Sequence, residues 1–225
     1  MTTLKTTISA SVALALIAFA PRLAQAEDFA QHLSKADLAT LQKAVTRARR
    51  QVPRAFAQLD QLRDHIARVA QMGRQGRGRF PSFVRPLRAL GRPALMPMLS
   101  LLFFEQASLS VLPARVSRGL KISLVEAIGS LRDRRAQRPL EAILVAGAAD
   151  PLLAKAAAIA LGRLATAQVA VTLQRYAMGD VATLRLAAVA GLGECRRPDA
   201  AAQLRELLNA NRDRPELRLT TTTSG

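Results

Sequence analysis

The chain predicts an all-α protein: a short α-solenoid of stacked helical hairpins behind an N-terminal helical cap. Three observations carry that expectation. A small-residue signature recurs at Ala127-Ile128-Gly129, Ala160-Leu161-Gly162 and Gly191-Leu192-Gly193, its last glycines 33 and 31 residues apart, the period of one helical hairpin. Apolar residues around it keep to one helical face, at Leu120, Leu124 and Ile128 and again at Leu184, Ala188 and Leu192. The single thiol, Cys195, and the two histidines, His32 and His65, supply neither a disulfide framework nor a Cys- or His-based metal site.

Taken in order, residues 1–26 read as a secretory signal peptide. Lys5 lies in a short polar stretch, an apolar run spans Ile8 to Ala20, and Ala24-Gln25-Ala26 forms a small-residue cleavage site. The apolar run has 13 residues, short of the roughly 20 that span a bilayer. The expectation is cleavage after Ala26 and a periplasmic or secreted protein. No Cys stands at the cut to take a lipid, and no Arg-Arg pair precedes the run, which favours export of the unfolded chain. Cleavage leaves 199 of the 225 residues, enough for one core or one continuous array. It removes Lys5 and Arg22, lowering the net charge from +17 to +15, and only five of the 33 basic residues are Lys. Such a charge suits acidic partners, anionic polymers or anionic membranes. A host with an Arg-biased composition accounts for it as well.

Residues 27–72 predict a helical hairpin or cap. Ser34 followed by Asp37 resembles a capping box with Asp in place of Glu. Leu38, Leu41, Val45 and Val52 line one helix; after Pro53, Phe56, Leu59, Leu62, Ile66 and Val69 line a second, with Gly73 as its stop. The hairpin reads either as a cover for the open end of the solenoid or as a partner-helix or self-association surface. Residues 73–81 form a Gly/Arg-rich linker. No acid occurs between Asp64 and Glu105, a stretch holding Arg68, Arg74, Arg77, Arg79, Arg85, Arg88 and Arg92. Arg grips phosphate or carboxylate with a planar fork, and Phe80 and Phe83 lie nearby. Arg74, Arg77, Arg79, Arg85 and Arg88 are therefore the candidate anion- or partner-binding residues, against the plainer reading of a solvated linker.

Residues 82–208 predict the repeat array. Its first unit is degenerate: Ala89-Leu90-Gly91 precedes Ala94, Met98 and Leu102, with Pro81, Pro86, Pro93 and Pro97 disturbing the regular pattern. The apolar run from Ala94 to Phe104 is cut short by Glu105 and Gln106 and reads as a buried second helix rather than a membrane span. In the three full units a Leu stands nine residues before the glycine (Leu120, Leu153, Leu184) and eleven after it (Leu140, Leu173, Leu204). Two residues after it come Leu131, Leu164 and Cys195, so Cys195 fills a Leu slot as a small buried hydrophobe. The glycine is expected near the end of each first helix, allowing a tight exit. Asp150-Pro151 and Asp180 stand where the next first helix should start. The tail 209–225 reads as disordered.

These residues resemble the HEAT-like repeats of the bilin-lyase type. That unit carries Leu-Gly in its first helix, an acid near the turn and Ala-x-x-x-Leu-x-x-x-Leu in its second helix. Ala136, Leu140 and Leu144 match the second-helix pattern, as do Ala200, Leu204 and Leu208, and Asp133 matches the turn acid. The match covers about 119–208 well and 82–118 loosely, with 27–81 outside it. Ala154 departs from the usual Arg, while Lys121 and Arg185 keep a base at that position in the other two units, and Val169 and Ala177 depart in the third second helix. The resemblance implies an α-solenoid; for function it says little, since such arrays serve as scaffolds, chaperone-like partners and only occasionally enzymes. It also raises tetrapyrrole handling, which export and the lack of an aromatic cluster argue against.

Catalytic patterns are missing from the sequence: no nucleophile elbow, phosphate-cradling loop, His-Glu metal pair or Ser-His-Asp set stands out. Glu126, Glu141 and Glu194 recur as repeat surface residues that could meet across hairpins. The reading is a non-catalytic scaffold of the cell envelope that binds a protein partner through the solenoid, with no cofactor, metal or small-molecule substrate. The alternative is a basic module that docks on an anionic polymer or membrane surface through its Arg-rich N-terminal half; nucleic acid is disfavoured for an exported chain. A continuous basic stripe on one face would favour the polyanion, and scatter would favour composition alone.

Overall fold

A computed structural model describes residues 29–72 and 83–210, which form α-helices joined by short turns with no strand among them. The expected signal peptide, the Gly/Arg-rich linker and most of the C-terminal tail lie outside the described residues.

The first described element is a 3-10 turn, Phe29–His32, whose Phe29 is fully buried. Helices α1 (Lys35–Gln51) and α2 (Pro53–Met72) follow. Ser34 caps α1 by accepting the Asp37 N–H at 3.0 Å, while its own hydroxyl donates to the Asp37 carboxylate at 2.7 Å. That keeps the forward half of the expected capping box; the return bond comes from the hydroxyl. Leu41 and Val45 of α1 and Phe56, Leu59 and Ile66 of α2 are buried, but Val69 is exposed. At 20 residues α2 outruns the elements it packs on, which are α1, the turn Arg92–Ala94 and the nine-residue helix α4 (Leu95–Phe103).

The degenerate unit consists of α3 (Val84–Ala89), a turn made at Gly91, where φ is +68°, and α4. All nine residues of α4 are buried, as expected of a buried second helix. Its one hydroxyl, Ser100, is satisfied by donating to Glu105 at 2.7 Å. Glu105 also takes Arg49 of α1 at 2.7 Å, and Arg49 in turn lies 4.7 Å from the centre of the Phe56 ring. The hairpin is thereby fastened to the N-terminal end of the array. A short helix, α5 (Gln106–Ser110), which the repeat pattern does not announce, leads onward.

Three regular hairpins follow: α6 (Ala114–Leu131) with α7 (Gln137–Ala146), α8 (Pro151–Leu164) with α9 (Ala167–Ala177), and α10 (Ala182–Glu194) with α11 (Pro198–Ala210). The first helices form a row, α3 on α6, α6 on α8 and α8 on α10, while α7 leans on α8 and α9 on α10. Helices α7 and α9 thus pack chiefly on the hairpin that follows, whereas the last helix, α11, packs on α10 and α9. One continuous apolar core runs from Phe29 to Leu207.

The repeat glycines work differently from the expectation. Gly129 and Gly162 lie inside their helices, and the exits are made three residues later by Arg132 (φ 52°) and Ala165 (φ 53°), which adopt the left-handed conformation. What the glycines provide is close approach. A Cβ on Gly129 would come within 2.5 Å of Ala160, and one on Gly162 would run into the Gly191 carbonyl. In the third unit the crowded residue is Gly191, against the Ala158 carbonyl, while Gly193, the residue aligned by spacing, faces open space. Asp180 does not start the next first helix as its position suggests. It is exposed, and α10 begins from Val181 with no side-chain cap.

Candidate functional site

Of the five candidate arginines, Arg74, Arg77 and Arg79 lie outside the described residues. Arg85 and Arg88 stand one helical turn apart on α3, exposed and paired with no described acid. They line a shallow groove with Val84 and Ala89.

A more regular basic surface runs along α1. Lys43, Arg47 and Arg50 recur at i, i+4 and i+7, so they share one face. All three are exposed, and none is paired with a described acid. Between them lie Gln42, Thr46 and Gln51, and together these six line a groove. The spacing was in the sequence, but density of arginine pointed to 74–88 instead.

The array handles its charges otherwise. Arg118 of α6 grips Asp150 with two bonds of 2.6 Å, and Asp150 caps α8 by accepting the Leu152 and Leu153 N–H groups. Arg135 holds Asp133, Arg138 holds Glu141, Arg163 reaches Glu194 across α8 and α10 at 3.6 Å, and Arg197 holds Asp199. The hydrogen bonds from Arg118 and Arg135 hold the Asp150 and Asp133 carboxyls below the usual carboxylate range, against the opposing pull of burial. Of the repeat carboxylates that could meet across hairpins, Glu141 and Glu194 each lie against an arginine, Arg138 within the same helix and Arg163 across the hairpins.

Cys195 is buried and its thiol is pushed up, chiefly by burial. His32 and His65 are both exposed. No cluster of three or more His, Cys, Asp or Glu able to hold a metal occurs among the described residues, and no described helix is long and apolar enough to cross a membrane.

A second surface escaped the sequence reading. Arg118–Asp150 joins the starts of α6 and α8, Gly129–Ala160 joins their later turns, and Gly162–Gly191 joins the later turns of α8 and α10. The first helices therefore run parallel, and all the connections between hairpins fall on one edge. That edge carries exposed apolar side chains: Val111 before α6 (86%), Leu152 in the first turn of α8 (56%), Met178 after α9 (69%) and Val181 before α10 (49%). Val171, also exposed, lies two turns before Met178 on α9.

These features define a class, an all-α protein of stacked helical hairpins with a basic N-terminal hairpin and an apolar edge on its array. The chain matches no family model, no curated protein and no solved structure.

Proposed function

We propose that this chain is a non-catalytic binding scaffold of the cell envelope, exported by its N-terminal signal peptide, whose HEAT-like solenoid presents a surface to a protein partner. The observation that carries the reading is the apolar edge at Val111, Leu152, Met178 and Val181. Large apolar side chains scattered singly on a surface are ordinary, but four of the six exposed among the described residues stand along one edge, as in a surface that a protein interface buries. Beside that edge Arg118 is engaged with Asp150, and apolar contact at these side chains would supply affinity that salt does not screen.

The test is a pull-down of the tagged chain from its own envelope fraction at about 1 M salt, where screening shortens to about 3 Å. A captured protein is then purified and titrated against the wild type and against the double variant Met178→Asp, Val181→Asp. The expected result is a binary complex that survives high salt and is lost in the variant. Equal binding by the variant, or loss of every partner at high salt, would overturn the reading.

A further inference from the structure

We infer that the outer face of α1 is a docking site for a linear, phosphate-bearing polyanion, held by Lys43, Arg47 and Arg50. On a helical rise of about 1.5 Å per residue these side chains step along the axis by about 6 Å and then about 4.5 Å. They present a line of positive charge, not an isolated cation. Their neighbours on the face, Gln42, Thr46 and Gln51, are neutral and polar, able to bond a bound chain without repelling it.

The contrast with Arg49 shows that the stripe is distinct from the rest of the helix. Arg49 points round α1 to Glu105 and Phe56 and serves the fold. Lys43, Arg47 and Arg50 have no described acid to give up, so binding an anion there breaks no internal ion pair. Arg supplies a two-pronged grip on phosphate and Lys a point charge.

The same face argues for a polymer over a bilayer. Helices that lie on membranes bury an apolar face into the acyl boundary beside their basic one. Among the described residues that line the groove there is no apolar side chain, and the buried residues of α1, Leu41 and Val45, are committed to the core. The inference stands apart from the apolar edge, which belongs to other helices.

The experiment titrates the purified chain against fluorescently labelled inorganic polyphosphate, from about 0.05 M to about 0.3 M salt, where affinity should fall linearly on a log–log plot. Each phosphate contact contributes about 0.7 to that slope on a flexible strand, so Lys43→Gln, Arg47→Gln, Arg50→Gln should flatten it by about 2 and weaken low-salt binding at least about 10-fold. Arg85→Gln, Arg88→Gln should bind as the wild type does. The three α1 side chains are exposed, so the circular dichroism spectrum should not change; single variants Arg47→Gln and Arg50→Gln, each flattening the slope by about 0.7, give the same reading should the triple variant misfold. Wild-type binding by the triple variant would overturn the inference. So would loss confined to the Arg85/Arg88 variant, or tighter stripe-dependent binding to phosphatidylglycerol vesicles than to polyphosphate.

Discussion

At the scale of single residues, two glycines that spacing alone treats as equivalent have opposite duties. Gly162 lies where α8 meets α10, and a methyl group there would run into the Gly191 carbonyl and crowd the Glu194 Cβ at 3.2 Å. Backbone cannot rotate aside as a side chain can, so Gly162→Ala must separate the helices. A cost of about 3 kcal/mol is expected, the upper part of the range for overpacking. Gly193 meets nothing within 4 Å, so Gly193→Ala should gain about 0.5 kcal/mol from helix propensity. Urea midpoints of the two variants check this. A loss at Gly193, or none at Gly162, would show that the row of first helices is spaced otherwise. The recurrence of small residues was legible in the sequence, but which glycine touches a neighbour depends on rotation about the helix axis. A shift of two residues, from Gly193 to Gly191, turns a helix face by more than half a circle.

At the scale of elements, the joint between the first two full hairpins rests on Asp150. It caps α8 and receives both bonds from Arg118 of α6, so one carboxylate both starts a helix and fixes its neighbour. The Arg118 hydrogen bonds lower its pKa below 3.8, more than burial raises it. The folded state therefore releases the proton more readily than the unfolded state. The resulting stability is complete above the unfolded value of 3.8 and is lost as pH falls through the lower folded one. Asn is as good a cap as Asp, so Asp150→Asn removes the charge and keeps the helix start. At pH 7 the variant should be less stable by about 1–2 kcal/mol, discounted because the Arg118 side chain is half exposed. Thermal midpoints measured from neutral to acid pH should converge as the wild type loses the same contribution. A gap independent of pH would assign the cost to the cap alone. The pair Asp150-Pro151 announced this helix start in the sequence, whereas Asp180 announced one it does not make. Its spacing fits, but α10 starts two residues later and the Arg185 guanidinium is drawn to the Gly179 carbonyl at 3.2 Å. The Arg118 partner was not legible, because it lies 32 residues away and only the stacking of hairpins brings it near.

At the scale of the whole molecule, the question is whether the basic hairpin and the array are one cooperative unit. Phe29 bears on it most directly. It is fully buried, its ring lies 5.9 Å from that of Phe103 in α4, Lys121 of α6 sits 5.5 Å from the ring centre, and its turn packs on α7. A residue three places past the expected cleavage point thus closes the seam between the degenerate unit and the first full hairpin. No periodicity marks it, since a lone aromatic before a capping Ser belongs to no stripe, and only the assembled core gives it neighbours. Truncating a buried Phe costs about 3–5 kcal/mol, and one continuous core should transmit that loss to the far end. The chain supplies its own reporter: there is no Trp and the single Tyr, Tyr176, lies in α9 and lines the core away from Phe29. For Phe29→Ala, the urea midpoint read by Tyr176 fluorescence should fall together with the one read by far-ultraviolet circular dichroism. If the Tyr176 transition stays at its wild-type position while helix is lost in an earlier step, the N-terminal hairpin unfolds by itself. The basic stripe and the apolar edge would then belong to two bodies that can move independently.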